Sequence, residues 1–156
     1  MRFNENELIQ LSREAGDKES RVNYRHGVKN GFKDRWIKLR GNLLFCFKTN
    51  EFGAIQTKEP ASVLVLEDCV VYNEDESPLP NSFTLIFMAD PEKKHYFSCQ
   101  TRNLRDEWIE KIRTASYMSQ RKAIAQLQDE LLIRTGRDFL GNLPENIKDI
   151  LRNHHH

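Results

Sequence analysis

Apolar and polar positions change their period along this 156-residue chain. The opening NENELIQLSR sets Leu8, Ile9 and Leu11 in a short helical pattern, and polarity returns around Gly16. From Arg21 to about Gln100 the signals are those of strands. RVNYR alternates, HGVKNG is a turn-rich break, and FKDRWIKLR alternates again with apolar side chains on both parities, as expected of a strand that crosses a strongly bent sheet. Gly41-Asn42 has the composition of a tight two-residue hairpin, and LLFCFK follows as a buried strand. The polar loop TNEFGAIQTKEP leads to SVLVLE and CVVYN, the loop EDESPLPN to SFTLIFM, and the turn ADPEKK to HYFSCQ. Short strands with turns at such regular intervals predict a small mainly-β barrel or sandwich of seven strands.

After Thr101 the period becomes helical. Thr101 is placed to cap RNLRDEWIEKIRTAS, in which Leu104, Trp108, Ile112 and Ala115 recur every three or four residues. The pattern continues through Tyr117, Ile124, Leu127 and Leu131 to Gly136, predicting a helix of roughly thirty residues, about 45 Å long. NLPENIKDILR predicts a last short helix from near Pro144, and His154, His155 and His156 read as a purification-tag remnant.

Charge changes this picture more than composition does. The net charge is only +1, yet Arg21 to Lys48 holds eight Lys or Arg against the single acid Asp34. Glu67 to Glu76 holds five acids and no base. A nearly neutral chain divided in this way presents one anion-attracting face. The polar, mixed-charge start and the lack of a long apolar run lead us to expect a cytoplasmic protein that reaches membranes from outside. Cys46, Cys69 and Cys99 form no CxxC pair and lie in apolar runs, as small buried hydrophobes in a reducing compartment do.

Seven strands followed by one amphipathic helix with a central Trp resemble the pleckstrin homology family. GFKDRWIKLRGNLLFCFK resembles its second and third strands, SVLVLEDCVVYNED its fourth and fifth, NSFTLIF and HYFSCQT its sixth and seventh, and LRDEWIEKI its helix, with Trp108 at the signature position. The resemblance implies a bent seven-stranded barrel capped by a long amphipathic helix. Its core would span residues 20–116, after a flanking helix in 1–19 and before a helical extension and tail in 117–153. Both flanks resemble one branch of the family, and LRGNLLFCF and LVLEDCVV resemble endosomal adaptors within it. A non-catalytic, peripherally membrane-associated adaptor is therefore expected.

The resemblance also implies a ligand. Lipid-binding members gather cations from their first two strands around a phosphoinositide headgroup. Lys33 and Arg35 match the basic pair on the second strand, and residues two apart on a strand share a face. Arg forks onto phosphate oxygens while Lys adds a mobile point charge. The family's first-strand lysine position falls on Tyr24, or on Arg25 if the loop is one residue shorter. His26, Lys29 and the backbone of HGVKNG complete the candidate cradle. Four cations facing an anionic leaflet contribute about 4 kcal/mol, roughly millimolar binding, so headgroup contacts or a second attachment must supply the rest. Tyr117, Ile124, Leu127 and Leu131 lie on a four-three seam that allows a homodimer and hence avidity, or packing back onto the domain.

The other reading of the same fold is a protein-interaction module that uses a sheet edge or the long helix for peptides or a small GTPase. Catalysis by His26 or His95 with Cys46 or Cys99 lacks an orienting third group, so no enzyme, metal or cofactor is expected. Phe32, Trp36, Phe45 and Phe47 fall at core-like strand positions rather than on a stacking platform, which argues against nucleic acid.

Overall fold

The turn at Gly41-Asn42 sets the register of the first half of the sheet. In the computed structural model, which describes residues 4–135, Gly41 takes a φ of 58°, a region glycine enters without a Cβ penalty. The turn closes β2 (Lys33–Arg40) onto β3 (Leu43–Lys48) with Arg40 opposite Leu43. β1 (Lys18–His26) pairs with the other side of β2, and β4 (Ser62–Val65) with the far side of β3. β5 (Cys69–Glu74), β6 (Ser82–Phe87) and β7 (His95–Ser98) form an antiparallel meander that joins through β1 and β7. The result is one seven-stranded sheet in the order β4-β3-β2-β1-β7-β6-β5. β4 and β5 are its two edges, so the half-barrel is open at the corner between them.

Apolar side chains cover both faces of the bend. Val22, Ile37, Leu39, Leu44, Cys46, Phe83, Leu85 and Phe97 pack inside. On the outer face Leu43, Phe45 and Phe47 meet Leu8, Leu11, Trp36, Ile55 and Val63. Leu8 and Leu11 belong to α1 (Glu5–Arg13), which a capping box begins: the Asn4 side chain accepts the Glu7 N–H at 2.8 Å and Glu7 reaches back to the Asn4 N–H. Burial on both sides is why β2 carries apolar residues on both parities and β3 is buried at every position but its last. The helix ends at Arg13 and β1 begins at Lys18, three residues before the alternation becomes visible at Arg21.

Two cations of the basic stretch fasten this first helix and its link to β1. Lys38 Nζ donates to the carbonyls of Ser12 and Glu14 at 3.0 and 3.2 Å. Arg40 donates to the Ala15 carbonyl at 2.9 Å and pairs with Glu14.

α2 (Arg102–Thr135) begins where Thr101 Oγ1 accepts the Leu104 N–H at 3.1 Å. Its Trp108 has no solvent exposure and packs with Ile109, Ile112, Leu104 and Ala115 into the inner core. The buried indole N–H donates to Ser20 Oγ at 2.8 Å, as a polar atom taken from water requires. Among the described residues the chain divides into two units after Ser116. Within the second unit Tyr117 and Leu127 are exposed, Ile124 and Leu131 are half-buried, and the Arg121 guanidinium lies 5.5 Å from the Tyr117 ring centre. Gly136, the helix expected near Pro144 and the closing histidines lie outside the described residues. Cys46, Cys69 and Cys99 are free thiols.

Replacing Trp108 by Ala should cost about 3–5 kcal/mol by emptying this volume. Ser20→Ala, which strands the indole N–H, should cost about 1–3 kcal/mol. Urea unfolding of the two variants measures both.

Candidate functional site

Side-chain alternation and register together assemble a basic mouth at one end of the inner face. Residues directly opposite on antiparallel strands project to the same face. Val22 faces Arg35 and Tyr24 faces Lys33 across β1 and β2, while Arg35 faces Lys48 and Ile37 faces Cys46 across β2 and β3. Along three neighbouring strands the inner column therefore turns from apolar to polar: Ile37 to Arg35 to Lys33, Cys46 to Lys48, and Val22 to Tyr24 to His26. Lys33 and Lys48 are exposed and Arg35 is half-buried. Arg35 donates to the carbonyl of Asp34 at 2.9 Å. Among the described residues no carboxylate forms an ion pair with Lys33, Arg35 or Lys48.

The one acid of the stretch is turned away. Asp34 lies on the outer face, where Thr49 Oγ1 donates to its carboxylate at 2.6 Å and Arg21 approaches to 3.6 Å. Arg25 is on that face too, because it follows Tyr24 by one residue. Its guanidinium lies between the Phe32 and Tyr96 rings, 4.6 and 4.7 Å from their centres, and its Nε is buried without a hydrogen-bond partner. The structure thus brings Lys33, Arg35, Tyr24 and His26 together and places Arg25 on the other side of the sheet. Lys29 is exposed in the β1–β2 loop, which Gly27 enters with a φ of 77° and an N–H bonded to the Lys94 carbonyl at 2.9 Å. With Arg21, Arg25, Lys38 and Arg40 engaged elsewhere, Lys29, Lys33, Arg35 and Lys48 are the cations of the Arg21–Lys48 stretch left at the mouth.

Rings line the β7 side of the mouth. Tyr24 packs against Phe97, with centroids 4.9 Å apart, and its hydroxyl lies 2.7 Å from His95 Nδ1. The His26 ring stacks on His95 at 4.2 Å and 7°. Burial, helped by the neighbouring His26, pulls the His95 imidazole down to about 4, so it is neutral at pH 7. Burial, with Cys46 beside it, pushes the Tyr24 phenol above its usual value. Tyr24 and His95 thus make a neutral pair at the base of a cationic rim.

Lys48 and His95 went unassigned to the site from sequence. Lys48 was within reach: once Gly41-Asn42 places Arg40 opposite Leu43, counting outward along both strands sets Lys48 opposite Arg35. His95 depends on the β1–β7 pairing, for which the chain carries no local signal.

Compared with known families, residues 11–117 match the PH domain. The chain belongs to the PH domain family. It is 38% identical over 142 residues to pleckstrin homology domain-containing family J member 1 of Xenopus tropicalis, covering 90% of this chain and 88% of that protein. The Homo sapiens protein of that name is 37% identical over the same shares. Sesquipedalian-2 of Mus musculus is 31% identical over 98 residues, 62% of this chain and 36% of that one. Among solved structures, the C-terminal PH domain of pleckstrin in complex with D-myo-Ins(1,2,3,5,6)P5 superposes with a TM-score of 0.52 at 25% identity, over 66% of this chain and 99% of that one. The PH domain of ArhGAP27 superposes at 0.55 with 18% identity, over 64% and 99%.

Within this PH domain Tyr24, and not Arg25, stands opposite Lys33 in the β1–β2 register. Among the described residues no group of His, Cys, Asp and Glu is placed to hold a metal ion, and no helix is long and apolar enough to cross a membrane.

His95 makes stability depend on pH. Its folded value lies below its unfolded value of 6.5, so the unfolded chain binds more protons between the two. Its contribution is complete above about pH 6.5 and is lost as the pH falls toward 4. Unfolding free energies across pH 4–7 should fall by on the order of 2 kcal/mol through this group. A His95→Gln variant should show a correspondingly flatter profile.

Proposed function

We propose that the protein is a non-catalytic membrane-targeting adaptor that binds phosphoinositide headgroups in the basic mouth of its PH domain. The observation that carries this reading is the inner column of Lys33, Arg35 and Lys48, unpaired with any described carboxylate. Clustered phosphates offer many acceptor oxygens, and forked or mobile N–H donors meet them with charge-assisted bonds. The pleckstrin PH domain with a bound inositol polyphosphate supports a ligand of this class. The resemblance of LRGNLLFCF and LVLEDCVV to endosomal adaptors of the family supports an endosomal address.

Tyr24 shapes the expected affinity. A phenol hydrogen-bonded to His95 supplies no positive charge where a lysine would. Recruitment therefore leans on Lys33, Arg35, Lys48 and the loop cation Lys29, and gains from pairing two copies along the Tyr117, Ile124, Leu127 and Leu131 seam. The same missing charge favours the second reading, a protein-binding module with little lipid affinity.

Co-sedimentation with vesicles that contain or lack phosphoinositides separates the two readings. The Lys33→Ala/Arg35→Ala pair should weaken phosphoinositide-dependent pelleting at least about tenfold, since each bond to a charged group contributes about 1.5–3 kcal/mol. Its melting temperature should stay near that of the wild type. Equal pelleting of both proteins would leave the protein-binding reading.

A further inference from the structure

We propose that the free edge of β5 docks an extended peptide segment of another protein, apolar at alternate positions and basic at both ends, which adds to the sheet as a further strand. The inference does not rest on the headgroup reading, since the two surfaces share no residue.

The register shows which backbone groups face outward. The Met88 N–H donates to the Asp68 carbonyl at 2.8 Å, and Val70 stands opposite Ile86, Tyr72 opposite Thr84 and Glu74 opposite Ser82. Positions two apart on an antiparallel ladder bond alike, so this set turns its N–H and C=O groups to β6. Those of Cys69, Val71 and Asn73 point the other way, where β5 has no neighbouring strand. Arg113 of α2 meets the Val71 carbonyl there at 3.3 Å, a long bond that the N–H of an added strand would replace.

Apolar side chains lie beside this row. On the outer face Val70 is 48% and Met88 49% exposed, and the half-buried Ile86 adjoins both. An incoming strand would set alternate side chains next to Val70 and extend this patch. Its remaining side chains would face α2 near Ser116, whose Oγ lies 3.5 Å from Cys69 Sγ.

Charge decides the partner. Glu67 and Asp68 stand at one end of the edge, and Glu74, Asp75 and Glu76 at the other. Among the described residues no cation forms an ion pair with Glu67, Asp68, Asp75 or Glu76. The nearby cations, Lys94 beside Tyr72 and Arg113 beside Val71, stand at the middle. A second copy pairing through β5 would set acid against acid at both ends, whichever way it ran. Such charges guard an edge strand against its own kind. A segment with Lys or Arg at its ends and a neutral, alternating middle meets those acids favourably. Main-chain bonds and alternate side-chain contacts then hold it, as in other cases of strand addition.

Random peptides displayed on phage and selected on the protein should yield sequences of that pattern. A synthetic peptide of the selected class should slow amide hydrogen exchange at Cys69, Val71 and Asn73 more than at Val70 and Tyr72, whose amides already lie in the ladder. Asn73→Pro removes an outward N–H and spares the ladder to β6, so it should weaken the peptide about tenfold. Asn73→Ala, which keeps that N–H, should bind as the wild type does. Glu67→Lys/Asp75→Lys/Glu76→Lys leaves the backbone untouched and should also weaken binding about tenfold. Lys33→Ala/Arg35→Ala should leave it unchanged. Selection that enriches no such class, equal binding by the charge-reversed variant, or protection at the basic mouth instead overturns the proposal. So does self-association of the wild type that Asn73→Pro abolishes, which would give the edge to a second copy.

Discussion

Strict alternation of side chains across a register pinned by one glycine turn is the constraint on which this molecule depends. Gly41 permits a tight closure between β2 and β3, and every inward or outward assignment on both strands follows from it. A slip of one residue would carry Ile37 and Leu39 out of the inner core and Lys38 into it. The same slip would turn Lys48 to the face opposite Lys33 and Arg35 and divide the cations. Core formation and assembly of the basic mouth are thus one event.

That coupling explains how the charge is divided. The basic stretch is dense, but its cations do different work. Lys38 and Arg40 hold the link between α1 and β1, Arg21 holds the β3–β4 hairpin, and Arg25 lies between two rings on the outer face. Those on the inner face or in the loop are left to water at the open end. A count of charges alone overstates the electrostatic attraction such a surface can exert.

Much of the architecture was legible in the chain. The alternating runs, the Gly41-Asn42 turn, the Thr101 cap and the periodic apolar face around Trp108 are local signals, and each appears as an element of the structure. The choice between Tyr24 and Arg25 was not legible, because it turns on the irregular loop from Gly27 to Phe32 and on the pairing of β1 with β7, whose partners are distant in sequence. The role of α1 escaped for a similar reason: Leu8 and Leu11 read as a short flanking helix until Phe45 and Phe47 are seen beneath them. TNEFGAIQTKEP read as a plain polar loop because the bonds that shape its tip come from the Asn50 side chain and from Arg21.

The central claim is that the inner mouth, rather than the outer face, receives a polyphosphate. Amide chemical-shift mapping during titration with inositol hexakisphosphate tests it most directly. The account predicts that the largest changes cluster on Lys33, Arg35, Lys48 and the loop after His26. Changes centred instead on Arg25 and Tyr96, or none at all, would contradict it.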